Sequence, residues 1–135
     1  MDNTLAGDNT DWILKAMIAV AASDGALDER ETDLIRQVFE DHSGRALSAD
    51  QVAQAAEAFA NTNAIAAFTA ASKALDQAAK EDVIRCAYRV LLADNRIAGE
   101  ERKTLKDIAE ALNIPEIHFG AILEDLAVSL TPRRT

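Results

Sequence analysis

Residues 21–31, Ala-Ala-Ser-Asp-Gly-Ala-Leu-Asp-Glu-Arg-Glu, separate two apolar helical patterns. The first pattern stops at Asp24 and Gly25, and glycine is typical of a helix C-terminus because it adopts the left-handed backbone conformation at little cost. Asp28 and Glu31 have the spacing of a capping box, in which two side chains bind the free amides of a helix start. The segment therefore predicts a hinge between two helices that carries three acidic side chains.

A second segment of the same design follows at residues 92–101, Leu-Ala-Asp-Asn-Arg-Ile-Ala-Gly-Glu-Glu. Asp94 and Glu101 lie 70 positions after Asp24 and Glu31. The same offset aligns further apolar positions, namely Ile13 with Val83, Val20 with Val90, Ile35 with Leu105 and Val38 with Ile108. We interpret the chain as two pseudo-repeated halves, each consisting of helix, hinge and helix.

The composition favours an all-α fold. Of 135 residues, 49% are hydrophobic but only 4% are aromatic, and two prolines leave long uninterrupted segments. Alanine-rich segments form helices readily and pack closely. We expect one domain over residues 1–135, a bundle of about seven helices, with residues 1–9 and 131–135 loose at the ends. The apolar spacing predicts helices over about 10–23, 28–41, 48–60, 64–75, 81–93, 100–112 and 115–130.

The charge balance limits the classes of partner. With 14 basic and 23 acidic residues, the formal net charge is −9 at pH 7. Nucleic-acid binding is not expected, because basic surfaces supply most of its affinity. Docking on anionic lipid is disfavoured for the same reason. The balance is compatible with metal cations or with a basic protein partner.

Cysteine content and hydropathy predict a cytoplasmic protein. The single cysteine, Cys86, excludes an internal disulfide and is interpreted as a small buried residue. The N-terminus lacks the basic region of a signal peptide. The longest apolar run, residues 13–22, is interrupted by Lys15 and is too short for membrane insertion.

The first hinge resembles half of an EF-hand loop. If Gly25 takes the sixth position of that loop, Glu31 takes the twelfth, but the first and third ligand positions fall on Val20 and Ala22. Neither side chain is a metal ligand, so the segment is not an EF-hand.

A cation site remains a candidate for both hinges. Its proposed metal ligands are Asp24, Asp28, Glu31, Asp94 and Glu101. An all-oxygen set suits Ca²⁺, Mg²⁺ or Mn²⁺ better than Zn²⁺. At the second hinge Ala98 replaces the equivalent of Asp28, so the ligand set is poorer there. The alternative is that these acids only cap helices and satisfy hinge amides; both roles are compatible.

The doubled hinge resembles the TerB tellurite-resistance family. The resemblance rests on an alanine-rich helix that ends in Asp-Gly-x-Leu-Asp-x-x-Glu, residues 24–31, and on its second copy at 92–101 followed by Leu-Lys-Asp-Ile-Ala, residues 105–109. It implies a bundle of about seven helices, acidic residues that bind divalent cations, and no established catalysis. It further implies protein partners in a stress response, with a membrane-associated stress complex as one candidate. Asn95 and Ala98 depart from the pattern.

Three functional hypotheses follow. The leading one is a non-enzymatic TerB-like protein that binds a divalent cation at its hinges and acts through protein contacts in tellurite or stress resistance. The second is a pure protein-interaction module whose acidic hinges are structural caps. The third is a metal-dependent hydrolase, in which Glu100 and Glu101 flank a metal held by Asp94. No nucleophile–base pair or phosphate loop supports catalysis, and His42 and His118 lack partners at ligand spacing.

Overall fold

The computed structural model describes residues 4–23, 27–60, 63–94 and 99–130, and their side chains except those of residues 4–9, 94, 99–100 and 127–130. All regular structure in these ranges is helical, which confirms the all-α class and the expected number of seven helices. The helices are α1 Thr4–Ala21, α2 Glu29–Ser43, α3 Ala49–Ala60, α4 Ala64–Ala71, α5 Gln77–Asp94, α6 Gly99–Ala111 and α7 Glu116–Leu130.

The bundle is built around α1 and α5, which pack against each other more extensively than any other pair of described helices. Each of the two helices also contacts both α2 and α6. Their buried residues include the small or aliphatic Ala16, Val20 and Ala87, which are almost completely inaccessible to solvent. Small side chains at the contact permit this close approach, as the alanine-rich composition predicts.

The two halves of the chain have matching patterns of burial. Met17 and Ala87, 70 positions apart, are both fully buried, and Ile35 and Leu105 are buried in α2 and α6. The third helix of each half follows the same arrangement, because α3 contacts α1 and α2 while α7 contacts α5 and α6. Helix α4 connects the halves and packs on α6. The predicted pseudo-repeat is thus present in the fold and extends to three helices per half.

Helix α1 begins at Thr4, whereas the sequence predicted loose residues up to position 9 and a start near residue 10. Thr10 and Asp11, the polar residues at the predicted start, have partners elsewhere. Thr10 Oγ1 accepts a hydrogen bond from Arg45 Nη2 at 2.7 Å. Asp11 pairs with Lys15, one turn along the helix, at 3.1 Å. A polar residue costs only a few tenths of a kcal/mol inside a helix, so the helix continues through these positions.

The link between α4 and α5 also differs from the prediction. The sequence predicted α4 up to residue 75 and a polar link over 76–80, but α4 ends at Ala71 and α5 begins at Gln77. The turn after Ala71 places Leu75 in the core. Asp76 Oδ1 then accepts a hydrogen bond from Ala79 N at 2.8 Å and caps α5. Burial of Leu75 and this cap outweigh the apolar spacing that suggested a longer α4.

The other predicted helix boundaries are largely correct. Ser48 and Gln51 form a capping box before α3, with reciprocal side-chain to backbone bonds of 3.1 and 2.8 Å. Helix α2 ends at Gly44 with a φ of +77°, and Asn113 follows α6 with a φ of +63°. Both residue types tolerate this left-handed conformation. No helix in the described ranges has the length and apolar character needed to cross a membrane.

Candidate functional site

The first hinge leads into α2 through a complete capping box. Asp28 is the N-cap residue, with an extended backbone, and its Oδ1 accepts a hydrogen bond from the Glu31 amide at 2.7 Å. In return, Glu31 Oε1 accepts a hydrogen bond from the Asp28 amide at 3.1 Å. Two amides at the helix start are therefore satisfied by carboxylates, which also interact favourably with the helix dipole. This confirms the capping role predicted for Asp28 and Glu31.

The two capping acids differ in exposure. The side chain of Asp28 lies at the surface, whereas Glu31 is only 6% exposed. Burying a carboxylate is costly unless it is hydrogen-bonded or paired, and the Asp28 amide supplies one such bond. The third predicted ligand of this hinge, Asp24, lies outside the described residues.

The second hinge places an acid in the corresponding position. Glu101 is the third residue of α6, as Glu31 is the third residue of α2, and its exposure is 2%. Alanine at position 98 has no side-chain acceptor, so it cannot accept a hydrogen bond from the Glu101 amide as the Asp28 side chain accepts one from the Glu31 amide. Asp94 is the last residue of α5, but its side chain lies outside those described. The two hinges thus share a buried glutamate and differ in the capping residue before it.

The structure does not test the five-residue metal site as a whole. Among the side chains it describes, no three Asp, Glu, His or Cys residues come together in a way that would hold a metal ion. A single cation bound by both hinges would require the carboxylates of Asp24 and Asp94 to lie close together. Both side chains lie outside the described set. Cation binding by Asp24, Asp28, Glu31, Asp94 and Glu101 therefore remains a prediction.

A groove of about 590 Å³ lies beside the first hinge, between α1, α3, α4 and α6. Its walls include Ala22 and Leu27 from the hinge region and Ile65 from α4. The charged side chains among the described lining residues are Glu57 and Asp107. No sequence pattern indicated this groove, because it arises where short alanine side chains leave space between helices.

The histidines take part in contacts between helices. His118 Nε2, on α7, lies 2.7 Å from Glu81 Oε2 on α5. This hydrogen bond is the main cause of the lowered pKa of Glu81, and the hydrogen bond from Gln77 lowers this pKa further. His42, on α2, lies 3.8 Å from the carboxylate of Asp82, the next residue of α5. Each histidine thus faces an α5 carboxylate.

Cys86 is buried in α5, as the sequence predicted, with an exposure of 1%. Burial raises the pKa of its thiol to about 12, although the nearby Arg89 acts in the opposite direction. At neutral pH the sulfur is therefore a protonated thiol, which is a poor nucleophile and a poor metal ligand.

A comparison with known protein families gives a match that includes both hinges. A family model described as "Protein of unknown function (DUF533)" matches residues 2–125. The chain belongs to the DUF533 family. The DUF533 match extends from the start of α1 into α7, so the family includes both pseudo-repeated halves and the connecting α4. No curated protein and no solved structure matches the chain significantly.

Proposed function

We propose that this DUF533 protein is a non-enzymatic, TerB-like interaction protein of the cytoplasm that binds a divalent cation at its acidic hinges. The observation that carries the proposal is the duplicated hinge, in which Glu31 and Glu101 are buried at the same position of equivalent helices. The DUF533 family lies within the TerB-like superfamily. This agrees with the resemblance of the hinges to the TerB family, and the proposed role in a stress response rests on that resemblance.

Capping does not compete with cation binding for the acids of the first hinge. A carboxylate has two oxygens and about four acceptor positions. Asp28 and Glu31 each use one oxygen in the capping box. Carboxylate oxygens suit hard cations such as Ca²⁺ or Mn²⁺, which bind carboxylate, carbonyl and water oxygens together. We place the stronger site at the first hinge, because Ala98 removes one ligand from the second.

The second candidate function is a protein-interaction module that binds no cation at its hinges, and the capping box favours this alternative. The acids of the first hinge already have a structural role that requires no metal. In this case the net charge of −9 provides the recognition, through a basic partner protein. A hydrolase is not proposed, because a glutamate with the exposure of Glu101 is poorly placed to contact a substrate.

Titration with Ca²⁺ and Mn²⁺, followed through backbone amide resonances, tests the cation. We expect saturable shifts with Ca²⁺ and paramagnetic broadening with Mn²⁺ at residues 24–31, with weaker effects at residues 94–101. If these amides do not respond at millimolar concentrations of either ion, the cation half of the proposal is wrong.

The variant Glu31→Gln distinguishes the role of Glu31 in cation binding from its role in capping α2. Glutamine retains an oxygen that can accept the Asp28 amide, but it loses the negative charge that a cation requires. The matched control is Glu29→Gln, which removes an exposed charge from the same helical turn. We expect Ca²⁺ to raise the melting temperature of wild type and Glu29→Gln, and to have less effect on Glu31→Gln. Equal stabilisation of all three proteins would favour the module without a hinge cation.

A further inference from the structure

A second cavity, separate from the hinge groove, lies between α5, α6 and α7. It has a volume of about 280 Å³, large enough for the apolar part of a small organic molecule. Its apolar lining consists of Tyr88 from α5, Leu105 from α6, and Phe119 and Leu123 from α7. Helix α7 makes few contacts with α6, which leaves this cleft between them.

The charged side chains that the structure describes around the cleft are all basic. Arg102, Lys103 and Lys106, from two successive turns of α6, line it, and no acidic residue does among the described side chains. This is unusual in a chain with a net charge of −9. A local excess of positive charge beside an apolar surface attracts an anion that also has an apolar portion.

Two of these three cations have no partner among the residues that the structure describes. Lys103 pairs with Asp107 at 3.0 Å, but neither Arg102 nor Lys106 has a hydrogen bond or ion pair with the residues that the structure describes. By contrast, Arg85 and Arg89 on the neighbouring α5 both pair with carboxylates. The charges of Arg102 and Lys106 are therefore available to a ligand.

Local helix stability does not explain the position of Arg102. It is the fourth residue of α6, near the N-terminus, where the helix dipole disfavours a positive charge. The same dipole favours an anion at that end of the helix. Dipole and guanidinium thus act in the same direction on a bound anion.

We propose that the cleft between α5, α6 and α7 binds a small soluble anionic amphiphile, an aromatic or branched aliphatic body that carries a carboxylate, sulfonate or phosphate. The apolar body packs on Tyr88, Phe119 and Leu123, and the anionic group lies at the surface between Arg102 and Lys106. This site is distinct from the acidic hinges and does not depend on a cation there. The hinge groove has the opposite charge on its rim, from Glu57 and Asp107, and therefore selects against such a ligand.

Fluorescence titration with 1-anilinonaphthalene-8-sulfonate, an aromatic anion, tests the site. We expect saturable binding that weakens roughly three- to tenfold in the double variant Arg102→Gln/Lys106→Gln, as for the loss of two partly exposed charge contacts. The matched control, Lys73→Gln, removes another exposed cation, one outside the cleft, and should bind like wild type. The uncharged N-phenyl-1-naphthylamine should bind wild type and double variant equally.

Amide resonances locate the probe and provide the decisive negative outcome. Shifts caused by the anionic dye should be centred on Tyr88, Phe119 and Leu123. Shifts centred on Leu27 and Ile65 instead, or unchanged affinity in the double variant, would overturn the proposal. Sedimentation with phosphatidylglycerol vesicles should show no binding; vesicle binding that the double variant loses would assign the cleft to a membrane surface and also overturn it.

Discussion

At the scale of single residues, the hinge acids have different surroundings although their side chains are chemically similar. Asp28 is exposed and caps α2, while Glu31, three residues later, is buried and returns a hydrogen bond to the Asp28 amide. The pair fixes the point at which the chain leaves the hinge. A proposed cation would act on residues that already determine this geometry.

Replacing Asp28 with alanine gives the first hinge the residue present at position 98 of the second. We expect the free energy of unfolding to fall by about 1 kcal/mol, the usual cost of losing an N-cap side chain. Urea denaturation in the presence of a chelator measures it. Asp33→Ala, which removes an exposed acid one turn later in α2, is the control and should cost less. Equal losses would show that the cap contributes nothing specific.

Cys86 should be unreactive in the folded protein. Burial raises its pKa to about 12, so the thiolate is scarce at pH 8 and reagents cannot reach the sulfur. Labelling with 5,5′-dithiobis(2-nitrobenzoate) should be slow in buffer and immediate in guanidinium chloride. Ala121→Cys in a Cys86→Ala background supplies an exposed thiol for comparison. Native Cys86 that reacts as fast as this control would contradict its buried assignment.

At the scale of helices, equivalent positions of the two halves repeat polar contacts as well as apolar ones. The pair of Asp11 and Lys15 in α1 has its counterpart 70 positions later in Glu81 and Arg85 of α5. The second copy has an additional partner, because Glu81 also contacts His118 of α7. The repeat thus places an ion pair at equivalent positions of α1 and α5. In the second half, the acid of this pair also contacts the third helix of that half, α7.

The contact between α5 and α7 should depend on pH through Glu81. Its pKa is lowered below 4.5 in the folded protein, mainly by the hydrogen bond with His118. The contact therefore stabilises the fold above pH 4.5 and loses its contribution as the pH falls through the lowered pKa. We expect Glu81→Gln to be less stable than wild type at pH 6, with a difference that shrinks towards pH 3.5. Urea denaturation at both pH values measures the difference.

Glu124→Gln provides the control for that experiment, since it removes an exposed acid from α7, the helix that carries His118. Its stability relative to wild type should change little between the two pH values. A constant deficit of Glu81→Gln across the range would show that its effect comes from packing and not from the charge.

At the scale of the whole molecule, an aromatic cluster attaches the connecting α4 to the first half. Phe68 of α4 is fully buried, with its ring centroid 5.2 Å from that of Trp12 in α1 and 6.0 Å from that of Phe59 in α3. Helix α4 has only eight residues and would not be stable alone. Its position between the halves therefore depends on this cluster and on its contact with α6.

Truncating Phe68 to alanine should destabilise the whole bundle. We expect a loss of roughly 3–5 kcal/mol, because the change leaves a cavity among Trp12, Phe59 and α4. The control is Ile65→Ala on the same helix, where the side chain is 38% exposed and the loss should be under about 1 kcal/mol. Guanidinium denaturation monitored by Trp12 fluorescence and by circular dichroism measures both. A small loss for Phe68→Ala would mean that α4 is not anchored through this ring.

Periodic patterns made much of the fold predictable. Apolar spacing and the repeat placed seven helices, and a capping box placed the start of α2, because these signals depend on neighbours within a few residues. The start of α1, the end of α4 and the start of α5 were wrong, because contacts from distant parts of the chain contribute to them. Thr10 is hydrogen-bonded to Arg45, which lies 35 positions later in the chain. Leu75 is buried in the core beyond the end of α4.

The sequence alone determined the helical class, the duplication and the acids of each hinge, since periodicity and capping are local properties of the chain. Only the tertiary structure decided that Glu31 and Glu101 are buried while Asp28 is exposed. It alone also placed Arg102 and Lys106 beside Tyr88, Phe119 and Leu123. Burial and cavities depend on how distant helices pack, and the spacing of residues along one helix does not contain that information.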